Sequence, residues 1–176
     1  MADGLHIRHA TTAADVAAVR KLCWDYWDFL LNNSGTDRAI TEAFYPRPTY
    51  QKLMDPLQIE HARPDGMLLL AELDGMPIGC GMSHKIDPET SEIKRVFVNP
   101  VARGKGVARA LCQKLLDQAR TDGFARVVLD TSAQLTAAQT LYLSMGFVAR
   151  GPYQKIPDHV LPQMRFFEYD LAKAPA

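Results

Sequence analysis

The sequence predicts one α/β (α+β) domain over residues 1–176: a mixed, mostly antiparallel twisted sheet with helices on both faces. Three observations predict it. An apolar run at 67–73 meets a second at 77–84 through Asp74-Gly75, the strongest short-range hairpin signal. An extended run stops at Pro100 and is followed by an amphipathic helix and then a short buried strand. The chain has 176 residues, 47% of them hydrophobic and 23% charged, enough for a substantial core in an ordinary globular composition.

Residues 6–8 form a short first strand. Thr12 with Asp15 three residues on makes a helix-opening box, ahead of Val16, Val19, Leu22, Cys23, Tyr26, Phe29 and Leu30. That helix ends at Asn32-Asn33-Ser34-Gly35. Residues 36–65 hold short helical pieces around 42–45 and 50–54, broken by Pro46, Pro48, Pro56 and Pro64. After the hairpin, Ile86-Asp87-Pro88-Glu89 turns the chain into a third antiparallel strand at 92–98. A helix over about 104–120 carries Val107, Leu111, Leu115 and Ala119 on one stripe, and Gly123 ends it. Val127-Val128-Leu129 shows no alternation, so 126–130 is a buried strand. A helix at 136–145 closes on Gly146, and strands at 147–149 and 164–171 complete the order β-α-α-β-β-β-α-β-α-β-β.

Composition narrows the partners. Twenty basic residues cancel twenty acidic ones, so no nucleic-acid surface is expected. No apolar run is long enough to span a bilayer, and Met1-Ala2-Asp3-Gly4-Leu5-His6 does not read as a signal peptide, so no membrane partner is expected. Cys23, Cys80 and Cys112 are scattered, as buried thiols of a reducing compartment would be. The expected location is cytoplasmic. His6, His9, His61, His84 and His159 have no metal-ligand spacing, so no metal is expected. Ser83 and Ser132 lie in no nucleophile elbow.

The chemistry is written in Val96-Phe97-Val98-Asn99-Pro100-Val101-Ala102-Arg103-Gly104-Lys105-Gly106-Val107-Ala108. A strand-to-helix loop with two glycines and two cations aims backbone N–H groups and a helix N-terminus at one spot, where a pyrophosphate belongs. A dinucleotide fingerprint from Gly104 would need glycine where Arg109 stands. A Walker loop would need glycine at Asn99 and Ser or Thr at Gly106. What fits is R-x-x-G-x-[GA], spelled by Arg103, Gly106 and Ala108. Its small residues let the backbone close on phosphate oxygens, while Arg103 and Lys105 add charge-assisted contacts.

With this loop the chain resembles the GNAT N-acetyltransferase superfamily. Glu92-Ile93-Lys94-Arg95-Val96-Phe97-Val98, the loop, Leu129-Asp130-Thr131 and Ala138-x-x-Leu141-Tyr142-x-x-x-Gly146-Phe147 occur in the family's order and spacing. The resemblance implies a GNAT-type fold and acetyl-CoA as cosubstrate. Its pantetheine arm would lie along Val96, Phe97 and Val98, with the Val98 N–H facing the developing oxyanion. Arg103, Gly104, Lys105, Gly106, Val107 and Ala108 would surround the pyrophosphate. Tyr142 would reach the thioester sulfur and give a proton to the departing thiolate. One departure stands out: Leu135 occupies a position where many members carry a cofactor-contacting asparagine, leaving that contact to Ser132 or Gln134.

An alkylammonium with a pKa of about 10 must lose a proton before it attacks. The family's acidic residue near the start of the bent strand corresponds to Glu92, which is either that base or a carboxylate paired with Lys94 or a neighbouring cation. Counted by twos, Glu92, Lys94, Val96 and Val98 share a face unless a bulge intervenes. The resemblance places an amine or peptide acceptor between the first helices and the splayed strands, against Trp27, Tyr45 and Tyr153, with Trp24, Tyr26, Phe29 and Phe44 nearby. The other reading of those aromatics is a helix burying its own apolar face. The implied reaction is direct acetyl transfer to a primary amine in a ternary complex, by an enzyme that, like many of its fold, could pair as a homodimer. The rival is a catalytically silent CoA-binding sensor or interaction domain.

Overall fold

The computed structural model describes residues 4–173; residues 1–3, the first of the stretch read for a leader, and 174–176, the end of the 1–176 span, lie outside the described residues. The described strands are β1 (Leu5–His9), β2 (Gly66–Leu73), β3 (Met76–Asp87), β4 (Thr90–Val98), β5 (Arg126–Ser132), β6 (Val148–Arg150) and β7 (Met164–Asp170). They form one sheet in the order β1-β2-β3-β4-β5-β7-β6. Only the β4–β5 pair is parallel. The helices are α1 (Ala13–Asn33), α2 (Gly35–Phe44), α3 (Arg47–Met54), α4 (Leu57–Glu60), α5 (Val107–Thr121) and α6 (Thr136–Ser144).

Two cores sandwich the sheet. On one face Leu111, Leu115 and Leu116 of α5 pack on Leu69, Val127, Leu129 and Phe167. On the other, Val19, Leu22 and Cys23 of α1 pack with Tyr50, Met54, Leu68, Leu70 and Met82. β2 is therefore buried on both faces, which is why its sequence is a continuous apolar run. At the head of α1 the Thr12 hydroxyl accepts from the Asp15 N–H at 3.1 Å, while Asp15 accepts from the Thr12 N–H at 3.0 Å. Arg8 also reaches Asp15 at 2.8 Å, fastening β1 to that cap. Asp74 and Gly75 take φ of 50° and 78°, both left-handed, as the two-residue hairpin requires.

The interval between β1 and β2 holds four helices, not two. Its prolines start helices instead of ending them: Pro46 and Pro56 are the N-caps of α3 and α4, and Pro48 lies in the first turn of α3. A first-turn N–H has no intrahelical partner, so its loss there is cheap.

Two irregularities in β4 position everything that follows. Its parallel ladder with β5 runs only through Thr90↔Arg126, Ser91↔Val127 and Glu92↔Val128, after which the strands part. Along its other edge Met82 pairs with Lys94 but Cys80 pairs with Phe97, so Arg95 and Val96 together oppose Gly81. That is a β-bulge, with Arg95 at a left-handed φ of 51°. The bulge corrects the count by twos. Ile93 faces the α5 core, leaving Glu92 and Lys94 toward α1, yet Val96 and Val98 face α5 as well.

Leu111 is fully buried at the centre of the α5 core. Leu111→Ala is expected to cost about 2–5 kcal/mol, read as a lower urea midpoint at unchanged slope.

Candidate active site

The loop after β4 turns on Asn99, whose side chain accepts from the Val101 N–H at 3.2 Å. Gly104 and Gly106 both take φ of 78°. Gly106 is the N-cap of α5 and offers no side chain to the helix, whose first recorded backbone bond runs from Ala110 to Gly106 at 3.0 Å. Among the described residues, the backbone N–H groups of 104–109 have no partner within the chain. Serine or aspartate at this cap would satisfy one of them. Glycine leaves them without a side-chain acceptor.

These donors border a groove of about 430 Å³ between β4, α5 and α6. Val96, Phe97, Val98, Arg103, Gly104, Gly106, Val107, Ala108 and Tyr142 all line it. Lys105 is exposed and is not part of the lining. The Arg103 guanidinium lies 4.8 Å over the Phe29 ring. Tyr142 is buried with its ring against Phe147 and Phe167. Burial pushes its phenol well above the ordinary value.

A second cavity, of about 180 Å³, lies between α1, α2 and the parted strands. Trp27 and Tyr45 line it, and the Trp27 indole N–H donates to the Tyr45 carbonyl at 2.8 Å. Tyr26, Thr131 and Leu135 line both this cavity and the groove, so the two spaces meet there. The α1 aromatics divide between the two readings of them. Trp24 packs edge-on against Trp27 and Tyr50 beneath Arg47, whereas Phe29 faces the groove. Tyr153 is outside the lining; its neighbours Gln154 and Ile156 are within it.

The Tyr153 hydroxyl instead donates to Glu92 at 2.6 Å. Glu92 is 3% exposed and also bonds Lys94 and His84, each at 2.8 Å. Burial pushes its pKa up, but the His84 bond, the Lys94 charge and the Tyr153 bond outweigh burial and hold it at about 2. Glu92 lines neither cavity.

Asp130 does line the second cavity, and sequence reasoning passed over it as a site residue. It stands on β5 two residues beyond the last β4–β5 pair and accepts from the Gln154 amide at 2.7 Å. Burial raises its carboxyl above the ordinary value, Lys94 opposing and Glu92 adding to the rise. The available signal was a carboxylate closing an apolar strand. Asp37 lines the cavity too, yet it is 2% exposed and bonded to Asn33, Ser34 and Ser132. Ser132 is thereby engaged, and it also accepts from the Gln134 N–H at 3.1 Å. It is not free to replace an asparagine at Leu135, which is an N-cap without a side-chain bond. Among the described residues no cluster of His, Cys, Asp or Glu could hold a metal ion, and no helix is long and apolar enough to cross a membrane.

A model of the Acetyltransferase (GNAT) family matches residues 21–147. The chain belongs to the GNAT acetyltransferase family. It is 38% identical over 94 residues to an IAA acetyltransferase of Azospirillum brasilense, covering 52% of this chain and 61% of that one. It is 32% identical over 146 residues to the N-acetylaspartate synthetase of Danio rerio, covering 82% of this chain and 44% of that one. These matches span less than two-thirds of either relative's length. The structure of yncA from Salmonella typhimurium with its cofactor acetyl-CoA shares the GNAT fold, with a TM-score of 0.69 at 23% identity over 98% of this chain and 96% of that one.

Two outcomes follow from this geometry. Gly106→Glu sets a carboxylate and a strained φ among the unpartnered N–H groups; CoA affinity by calorimetry is expected to fall at least about 100-fold with the circular dichroism unchanged. Glu92 has a folded pKa of about 2 against an ordinary 4.5, so it stabilises the fold above that ordinary value and loses the contribution as pH falls toward 2. Glu92→Gln is expected to destabilise by on the order of 3 kcal/mol at neutral pH, a difference that shrinks across that acid window in denaturant titrations.

Proposed function

We propose that this GNAT protein is an acetyl-CoA-dependent N-acetyltransferase that passes an acetyl group directly to a primary amine in a ternary complex. The observation that carries the reading is the meeting of two cavities at Tyr26, Thr131 and Leu135, one bordered by unpartnered N–H groups and the other by Asp130. The unpartnered N–H groups of 104–108 and the positive end of α5 fit a pyrophosphate, with Arg103 adding charge from the groove and Lys105 from the exposed side. Beyond Glu92 the β5-facing edge of β4 has no strand partner, and Val96, Phe97 and Val98 offer it to the amides of a pantetheine arm. The Val98 N–H is the donor suited to an oxyanion at the end of that arm.

Asp130 is the base of this reading. A carboxylate raised toward neutrality accepts a proton from an ammonium more readily than one held at about 2. Glu92 is a positioning residue that holds Tyr153 and Lys94 beside the acceptor cavity. Tyr142 is the acid: its phenol lines the donor groove and is protonated at neutral pH as any phenol is, and because burial weakens it as an acid it acts chiefly by hydrogen-bonding the departing sulfur. A thiol pKa of about 8.5 already makes a fair leaving group, so this proton adds a modest factor. The acceptor cavity of about 180 Å³ suits a small molecule better than a peptide chain. Three buried free thiols suit a reducing compartment, and we place the reaction in the cytoplasm.

The test is CoA release from acetyl-CoA across a panel of amines, amino acids and peptides. Turnover with a small amine is expected. Tight CoA binding without turnover would instead favour the silent sensor, and absence of CoA binding would overturn the reading altogether. Asp130→Asn is expected to lower kcat by about 10²–10⁴ with the acetyl-CoA KM nearly unchanged. Because Asp130 must be ionised to act, the acid limb of kcat/KM should lie above the ordinary aspartate value and vanish in this variant. Tyr142→Phe should cost several-fold in kcat.

A further inference from the structure

Two charged groups lining the acceptor cavity have no ion-pair partner among the described residues. Lys94 is paired with Glu92, and Asp37 is sealed by its own hydrogen bonds. Two groups of opposite sign remain. Among the described residues Asp130 accepts a hydrogen bond from the neutral Gln154 amide and has no cation within ion-pair distance, Lys94 acting on it only from further off. Arg95 lines the cavity with no carboxylate within ion-pair reach among the described residues. Its guanidinium has a thioether contact, Met82 Sδ at 3.8 Å, and lies 5.8 Å from the centre of the Tyr50 ring. A thioether and an aromatic face hold the guanidinium by weak contacts and leave most of its five N–H donors without an oxygen acceptor. The backbone holds it there at a cost, because a non-glycine residue at φ of 51° stores about 1–3 kcal/mol. A strained residue that aims an unneutralised cation into a half-buried cavity has the chemistry of an anion anchor.

We propose that the acceptor is a free amino acid with an apolar side chain, its carboxylate held by Arg95 and its α-amine presented to Asp130. The proposal rests on the transferase reading and names the substrate class of that same site. Arg95 and Asp130 stand on β4 and β5 beyond the last paired residues, Glu92 and Val128, so an acceptor between the parted strands touches both. The remaining wall from α1 and α2 is apolar, with Trp27, Leu30, Ile40 and Phe44. A diamine would set a second cation against Arg95. An acidic amino acid would set a second carboxylate against that apolar wall, near Asp130.

The experiment compares amino acids with their decarboxylated counterparts: L-phenylalanine with 2-phenylethylamine, and L-leucine with 3-methylbutylamine, plus L-aspartate. The wild-type protein is expected to favour each apolar amino acid over its decarboxylated partner by at least about 30-fold in kcat/KM, and over L-aspartate. In Arg95→Gln that preference should collapse toward unity through KM, with the acetyl-CoA KM unchanged, and Arg95→Lys should restore part of it. Equal or better use of the plain amines overturns the proposal while leaving the transferase reading intact, even if the variant does not fold. A preference that survives Arg95→Gln, or a preference for L-aspartate, overturns it too. No acetyl transfer to any member overturns it as well, and loss of acetyl-CoA binding in calorimetry would remove the parent reading with it.

Discussion

The parting of β4 from β5 is the constraint on which the site depends. Three parallel pairs hold the strands together through Glu92 and Val128, and no ladder bond joins them further on. The backbone of Val96, Phe97 and Val98 is thereby left with an open edge, which a sheet normally covers or pairs. The same separation opens the second cavity, whose lining includes both Arg95 and Asp130. The groove and the cavity are thus two ends of one opening, and Tyr26, Thr131 and Leu135 form their common wall. The bulge at Arg95 divides the labour along β4. Val96 and Val98 turn to the α5 side, while Lys94 and Arg95 stay with the acceptor cavity.

The two carboxylates near the split show how environment assigns roles. Glu92 lies where the strands are still paired, with His84, Lys94 and Tyr153 bonded to it, and those partners keep it ionised far below neutrality. Asp130 lies just past the split, bonded to the Gln154 amide, and burial pushes its pKa the other way against the pull of Lys94. Two acids a few residues apart in the sheet are separated in proton affinity by their partners and burial, and it is on that difference that we propose Asp130 and not Glu92 as the base.

What could be read from the chain alone was whatever is encoded locally. Asp74-Gly75 makes its turn because both residues accept a left-handed φ, and the 104–106 loop follows the same rule. The α5 stripe is periodic, so its buried face was visible in Val107, Leu111, Leu115 and Ala119. A bulge in this strand was an open alternative implied by the resemblance, but its position was not legible, because Arg95 is neither glycine nor asparagine. With it, the exception to the count by twos holds, and Val96 and Val98 leave the face of Glu92 and Lys94. Prolines at 46, 48 and 56 look like breakers in sequence and act as helix starts in space. The partners of Glu92 include Tyr153, 61 residues away, and the raised pKa of Asp130 depends on where β4 ends its ladder. Such non-local facts leave no trace in spacing.

The central claim is that the open edge of β4 and the unpartnered N–H groups before α5 together hold the acetyl donor. Amide hydrogen exchange with and without CoA tests it most directly. Protection is expected at Val96, Val98 and residues 104–108, with the amides of β1 and β2 unchanged. Protection confined to other segments, or none at these amides under saturating CoA, would contradict the account.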